Sequence, residues 1–282
     1  MIAAQLRKTG PGGTGKLAPS CLLAVSVAMQ LAGPLSASAQ DNAARPAPRF
    51  DDGTVNLGPG SGRIGHWDTG VGNLSEQFVE MDGAFLVHPE DLDRIAPFRP
   101  WAKALVQYRL DTLGKDDPHP RCVANAGPRQ FHTPIGIEIV QDLEHQRIYV
   151  LSGGGPHSWR VIHMDGRAHP DPELLDPTYF GHSIGRWDGD TLVVDTVGFN
   201  ERFWFARRPT GMVHTDALHL IERLSRPDYE TLRYEVTIDD PKAYTRPWTA
   251  SWEIPWSDEA MIEYFCQDNN RDLDNLVGPG LD

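Results

Sequence analysis

Gly181-His182-Ser183-Ile184-Gly185-Arg186-Trp187-Asp188-Gly189-Asp190-Thr191-Leu192-Val193-Val194-Asp195-Thr196 is the stretch whose reading decides the fold. Two β-prone runs flank Asp188-Gly189, a dipeptide suited to a two-residue type I′ turn, so the stretch predicts a β-hairpin. With that turn Trp187 pairs with Asp190, Arg186 with Thr191, and His182 falls opposite Asp195. A carboxylate facing an imidazole is the orienting device of general acid–base sites. A three-residue turn instead places His182 opposite Thr196, because a one-residue slip moves every side chain to the other face.

Outward from the hairpin, period-two alternation runs through most of the C-terminal half. Ile135, Ile137 and Ile139 alternate, followed by Ile148 to Leu151, then Trp159, Val161 and His163. Leu218, Leu220, Glu222 and Leu224 turn at Pro227-Asp228 into Leu232, Tyr234, Val236 and Ile238. Trp248, Ala250, Trp252, Ile254 and Trp256 form one face, and Ile262 to Cys266 ends the series. This pattern predicts an all-β protein, an antiparallel barrel of about eight to ten strands. The interior of such a barrel is either filled by side chains or holds one small ligand, and the Trp face suits both. One helix is expected before the strands: Pro100 opens it, Trp101, Ala104, Leu105 and Tyr108 recur at helical spacing as a packing stripe, and Gly114 ends it.

Residues 1–39 read as an export signal. Arg7, Lys8 and Lys16 precede an apolar run from Cys21 to Leu35 and the small-residue site Ala37-Ser38-Ala39. The expected location is therefore periplasmic or secreted. Residues 40–62, rich in Pro, Gly, Asp and Asn, read as a flexible N-terminal segment. Residues 63–282 form a single domain with a helical and loop insertion at about 89–134.

The chain has 282 residues with 26 basic and 39 acidic side chains, and a formal net charge of −13. Removal of the leader takes it to about −16, which disfavours nucleic acid and anionic membranes as partners. A small-molecule ligand or substrate is the expected partner, and no membrane insertion is expected. Cys122 and Cys266 remain after processing, and an even pair in an oxidising compartment suggests a disulfide; two buried free thiols are the alternative.

All 11 histidines lie beyond the leader. His182, His219 and Asp195 are the candidates for proton transfer, with Arg186 on the His182 face as an anchor for an anionic group. Tyr234 and Tyr244 are candidate hydrogen-bond donors to a substrate carbonyl, and Trp248 and Trp252 candidate apolar lining. A satisfied polar network involving Glu222 or Asp216 is the alternative for His182 and Arg186. His214 and His219, an odd number apart on a strand, do not make a metal site alone. His163, His182 and His219 would be the ligands if a divalent metal were held, since a catalytic zinc needs three protein ligands. No cofactor is otherwise expected. The sequence lacks H-E-x-x-H and G-x-S-x-G, and Gly153-Gly154-Gly155 lacks the strand–glycine–helix context of a phosphate loop. The three functions left are a cofactor-free lyase, hydratase or isomerase acting on a small apolar or aromatic molecule in a barrel pocket, a binding protein for such a molecule, and a His-ligated metal enzyme.

Several motifs are longer than a chance match. Met164-Asp165-Gly166-Arg167-Ala168-His169-Pro170, Gly181 to Thr196, Gly198-Phe199-Asn200, Glu222-Arg223 and Thr237-Ile238-Asp239-Asp240-Pro241 through Trp248 resemble a family of secreted bacterial proteins of unestablished activity. The resemblance covers roughly residues 95–270 and implies no reaction. Gly65-His66-Trp67 is similar to the G-x-W opening of lipocalin-type (calycin) barrels, which implies a barrel of that shape with the Trp plugging one end.

Overall fold

The computed structural model describes residues 45–70, 89–206 and 211–268. Residues 1–39, read above as an export signal, and residues 40–44 lie outside them. Nine strands close a barrel in chain order: β1 (His66–Trp67), β2 (Ile137–Asp142), β3 (Arg147–Ser152), β4 (Ser158–His163), β5 (His182–Asp188), β6 (Thr191–Val197), β7 (His219–Ser225), β8 (Thr231–Asp239) and β9 (Trp248–Ser257). The short β1 completes the ring between β9 and β2. Gly136, at φ +92°, lets the chain approach there: a Cβ would stand 2.8 Å from the Trp67 carbonyl oxygen.

The all-β barrel agrees with the alternation, and two details correct it. The β4–β5 seam is parallel, pairing Ile162 with Ser183 and His163 with Ile184, so the barrel is mixed and departs from an uninterrupted antiparallel meander. A parallel pair needs a crossover connection, and residues 164–181 supply it. The closing strand expected at Ile262 to Cys266 is irregular. Cys266 stands at disulfide distance from Cys122, with Cα atoms 5.6 Å apart, and this tether holds the segment across the loop region. Linking positions 144 residues apart removes much denatured-state freedom. Reduction or Cys122→Ser should therefore cost roughly 4–5 kcal/mol in the chain-entropy model, read as a lower urea midpoint; an unchanged midpoint contradicts the link.

The hairpin turns one residue later than expected. Gly189 and Asp190 form the loop, since Asp188 pairs with Thr191. Only Gly189 takes a positive φ, +59°, the pattern of a type II′ turn with Gly first. The register therefore moves by two: His182 faces Val197, and Asp195 faces Ile184. A shift of two keeps the faces, so His182 and Asp195 remain on the same side.

The leading segment is not a loose tether. Val55 and Leu57 are buried, and the buried Arg226 guanidinium donates to the carbonyls of Asn56 (2.9 Å) and Gly58 (2.7 Å). Helix α1 (Leu92–Ile95) and helix α2 (Pro100–Asp111) flank the barrel. Of the predicted stripe of α2 only Leu105 packs against the core: the buried positions are Ala102 and Val106, whereas Trp101 is 46% exposed. Trp101 donates its indole N–H to the Lys242 carbonyl at 2.9 Å, which keeps the ring at the rim, polar edge satisfied.

Residues 125–133 are buried throughout and run into the barrel interior. Phe131 stacks on Tyr234 at 4.1 Å, Gln130 donates to the Ser152 hydroxyl at 2.8 Å, and Trp252 donates to the Phe131 carbonyl at 2.9 Å. With Trp67, this plug fills the lumen, so the wide aromatic face belongs to the core. At the centre, Arg160 forms a bidentate pair with Glu222, joined by the Tyr234 hydroxyl at 2.7 Å and by Ser183 and Thr196. Among the described residues no helix is long and apolar enough to cross a membrane.

Candidate functional site

Alternation places Arg160, Ser183, Thr196 and Glu222 inside the barrel and their neighbours outside. His163, His182, Asp195 and His219 thus share the outer surface of four adjacent strands, β4 to β7. The crossover then lays His169 over them, anchored where its Thr178 bridges Phe199: the Thr178 N–H donates to the Gly198 carbonyl at 3.0 Å and Asn200 donates back at 2.8 Å.

Four of these residues form one chain of contacts. His219 Nε2 lies 2.8 Å from Asp195 Oδ1, and His169 Nε2 lies 3.1 Å from the same oxygen. His169 Nδ1 in turn lies 2.8 Å from His182 Nδ1. His163 stacks on His182 with ring centroids 5.3 Å apart. The cluster borders an open groove of about 700 Å³, lined by His169, His219, Leu175, Phe199, Leu218 and Asp216 among others. That volume and mixed lining suit a small ligand.

Burial lowers the His182 pKa, reinforced by the charges of His169, His163 and Arg167 and opposed by Asp165. Burial also lowers His163, with Arg167 adding to it, and lowers His214 against two carbonyl hydrogen bonds. Each therefore favours its neutral form. A depressed folded pKa means that the unfolded chain binds more protons as pH falls through about 6.5. Thermal stability should accordingly drop between pH 7.5 and 5.5, and a melting temperature that rises over this interval contradicts the assignment.

The structure brings His182, His219 and Asp195 into one cluster, but outside the barrel, half-buried, and linked through His169. His169 carries no local signal beyond its position in Met164 to Pro170, because its place depends on how the crossover folds. The remaining expected residues stand elsewhere. Arg186 is exposed further along β5 and makes no hydrogen bond to the cluster. Tyr234 is sealed in the lumen on Glu222, and burial, then the Glu222 charge, raise its pKa well above the usual value. Tyr244 donates to the Val213 carbonyl at 2.7 Å and packs on the buried Trp248 at 5.5 Å. Trp252 packs on Tyr234 at 4.8 Å. His214 is buried, with its Nε2 2.9 Å from the Phe203 carbonyl oxygen. Asp240 is buried and accepts from the Thr215 N–H (2.6 Å) and hydroxyl (2.8 Å).

The three histidines expected as metal ligands do not converge: His163 and His182 are stacked, with ring planes 25° apart, and His219 meets the cluster only through Asp195. Among the described residues no group of three His, Cys, Asp or Glu side chains is arranged to hold a metal ion. No protein-family model, curated protein or solved structure matches the chain, so the chemistry of this cluster is argued from its own geometry.

Proposed function

We propose that the protein is an exported acid–base enzyme of the lyase, hydratase or isomerase type, acting on a small apolar or aromatic molecule in the outer groove. One observation carries this reading: a single carboxylate oxygen, Asp195 Oδ1, meets two imidazoles that line the same groove. Asp195 fixes His219 through Nε2 and leaves Nδ1 for the substrate, the geometry of an oriented general base. Leu175, Phe199 and Leu218 supply the apolar wall. Periplasmic or extracellular residence fits the disulfide-distance cysteine pair and the leader-like N-terminus.

Ligand mapping tests the groove. In NMR titrations of the protein with small aromatic molecules such as benzoate, phenol and indole, binders should perturb His169, Leu218 and His219 resonances. Ala217→Trp, which fills the groove from its rim, should abolish those shifts with the fold intact. Binding that leaves these residues untouched contradicts the proposed substrate site.

A further inference from the structure

The three hydrogen-bonding contacts fix where the protons sit. Asp195 Oδ1 is an acceptor, so both imidazoles facing it carry hydrogen on Nε2. A neutral His169 with Nε2–H has a bare Nδ1, and the atom 2.8 Å from it, His182 Nδ1, must then be the donor. His182 is left with a bare Nε2, and His219 with a bare Nδ1. The tautomers follow in sequence from one carboxylate.

We propose that His169 is a positioning residue and proton bridge, which ties His182 to Asp195 and makes the two histidines titrate as one site that regulates His219. The inference rests on the reading of His219 as the base. When a proton binds His182 Nε2, the His182 Nδ1–H bond breaks and a new N–H bond forms at His169 Nδ1. The result is a neutral His182 and a His169 imidazolium against the Asp195 carboxylate; no charge is lost and no other reactant is needed. The imidazolium then competes with His219 for the oxygen that both share. Proton uptake at the far end of the chain thereby weakens the base at the groove. His163 on β4, Asp165 and Arg167 in the crossover, and Arg147 beyond them set the field at the His182 end. At the groove end stand Asp195 and His219, with Asp171 and Asp216 in the groove lining and Lys242 paired to Asp216.

The test is nitrogen NMR of the 15N-labelled protein, which reads each ring nitrogen as protonated or bare without any turnover. At pH 8 the expected pattern is Nε2–H on His169 and His219 and Nδ1–H on His182, and on acidification His169 and His182 shift with one common midpoint. In His169→Gln the amide still donates to Asp195 and accepts from His182, so His182 should keep its Nδ1–H, yet titrate alone with a displaced midpoint. Separate midpoints in the wild type, an Nε2–H tautomer at His182, or both Nδ1 atoms bare and responsive to a chelator would each overturn the bridge. Because the His169 and His182 tautomers are read without substrate, their failure leaves the base assignment of His219 standing, and failure of turnover leaves those tautomers standing.

Discussion

Glu222→Ala should lower the unfolding free energy by about 3–5 kcal/mol, the usual cost of removing one partner from a buried ion pair. The side chains of Arg160 and Glu222 are 2% and 0% exposed, so removing the carboxylate leaves a buried guanidinium without its ionic partner. In the wild type burial pulls the Arg160 pKa down, but the Glu222 charge and hydrogen bonds together outweigh burial and raise it; without Glu222 the burial penalty on the charged guanidinium stands uncompensated. The Tyr234 hydroxyl would also lose its acceptor. For a domain of this size the expected fall in melting temperature is about 6–20 °C. The double variant Arg160→Met with Glu222→Leu should recover most of the loss, because replacing a whole buried pair by apolar side chains is often neutral or better. A change in the single variant below about 1 kcal/mol would mean that water enters the lumen.

The second large effect is on activity. His219→Ala should reduce turnover by about 10²–10⁴-fold, the contribution of a positioned proton-transfer group. Asp195→Asn should fall in the same range, since the amide cannot hold the His219 imidazolium that forms during transfer. Both side chains are more than a third exposed, so neither substitution should change stability by more than about 0.5 kcal/mol. A loss of activity matched by a loss of fold would instead make the cluster structural.

Much of this architecture is legible in the amino-acid order. Alternation from 135 to 257 marks the strands, and Pro100 marks the helix start, because both signals depend on local periodicity. The turn at Gly189 was misplaced by one residue: Asp-Gly suits I′, but Gly-Asp suits II′, and only strand pairing decides between them. Since the error shifted the register by two, His182 and Asp195 kept their common face. The sidedness of the cluster was not legible. Period two says that His182 and Ser183 point opposite ways, yet which is inside depends on the Arg160–Glu222 pair claiming the lumen. The same limit hid the plug. Residues 125–133 have no period, and Phe131 enters the barrel because Tyr234 and Trp252 offer it a stacking face and a hydrogen-bond donor. His169 joins the site through the parallel seam, a tertiary arrangement without a local signature.

The most direct test of the central claim is turnover of a panel of small apolar and aromatic substrates by the wild type and His219→Ala, each with and without chelator. The account predicts turnover that chelator leaves unchanged and that His219→Ala removes while the melting temperature holds. Activity that survives in His219→Ala, or that chelator abolishes in the wild type, would contradict it.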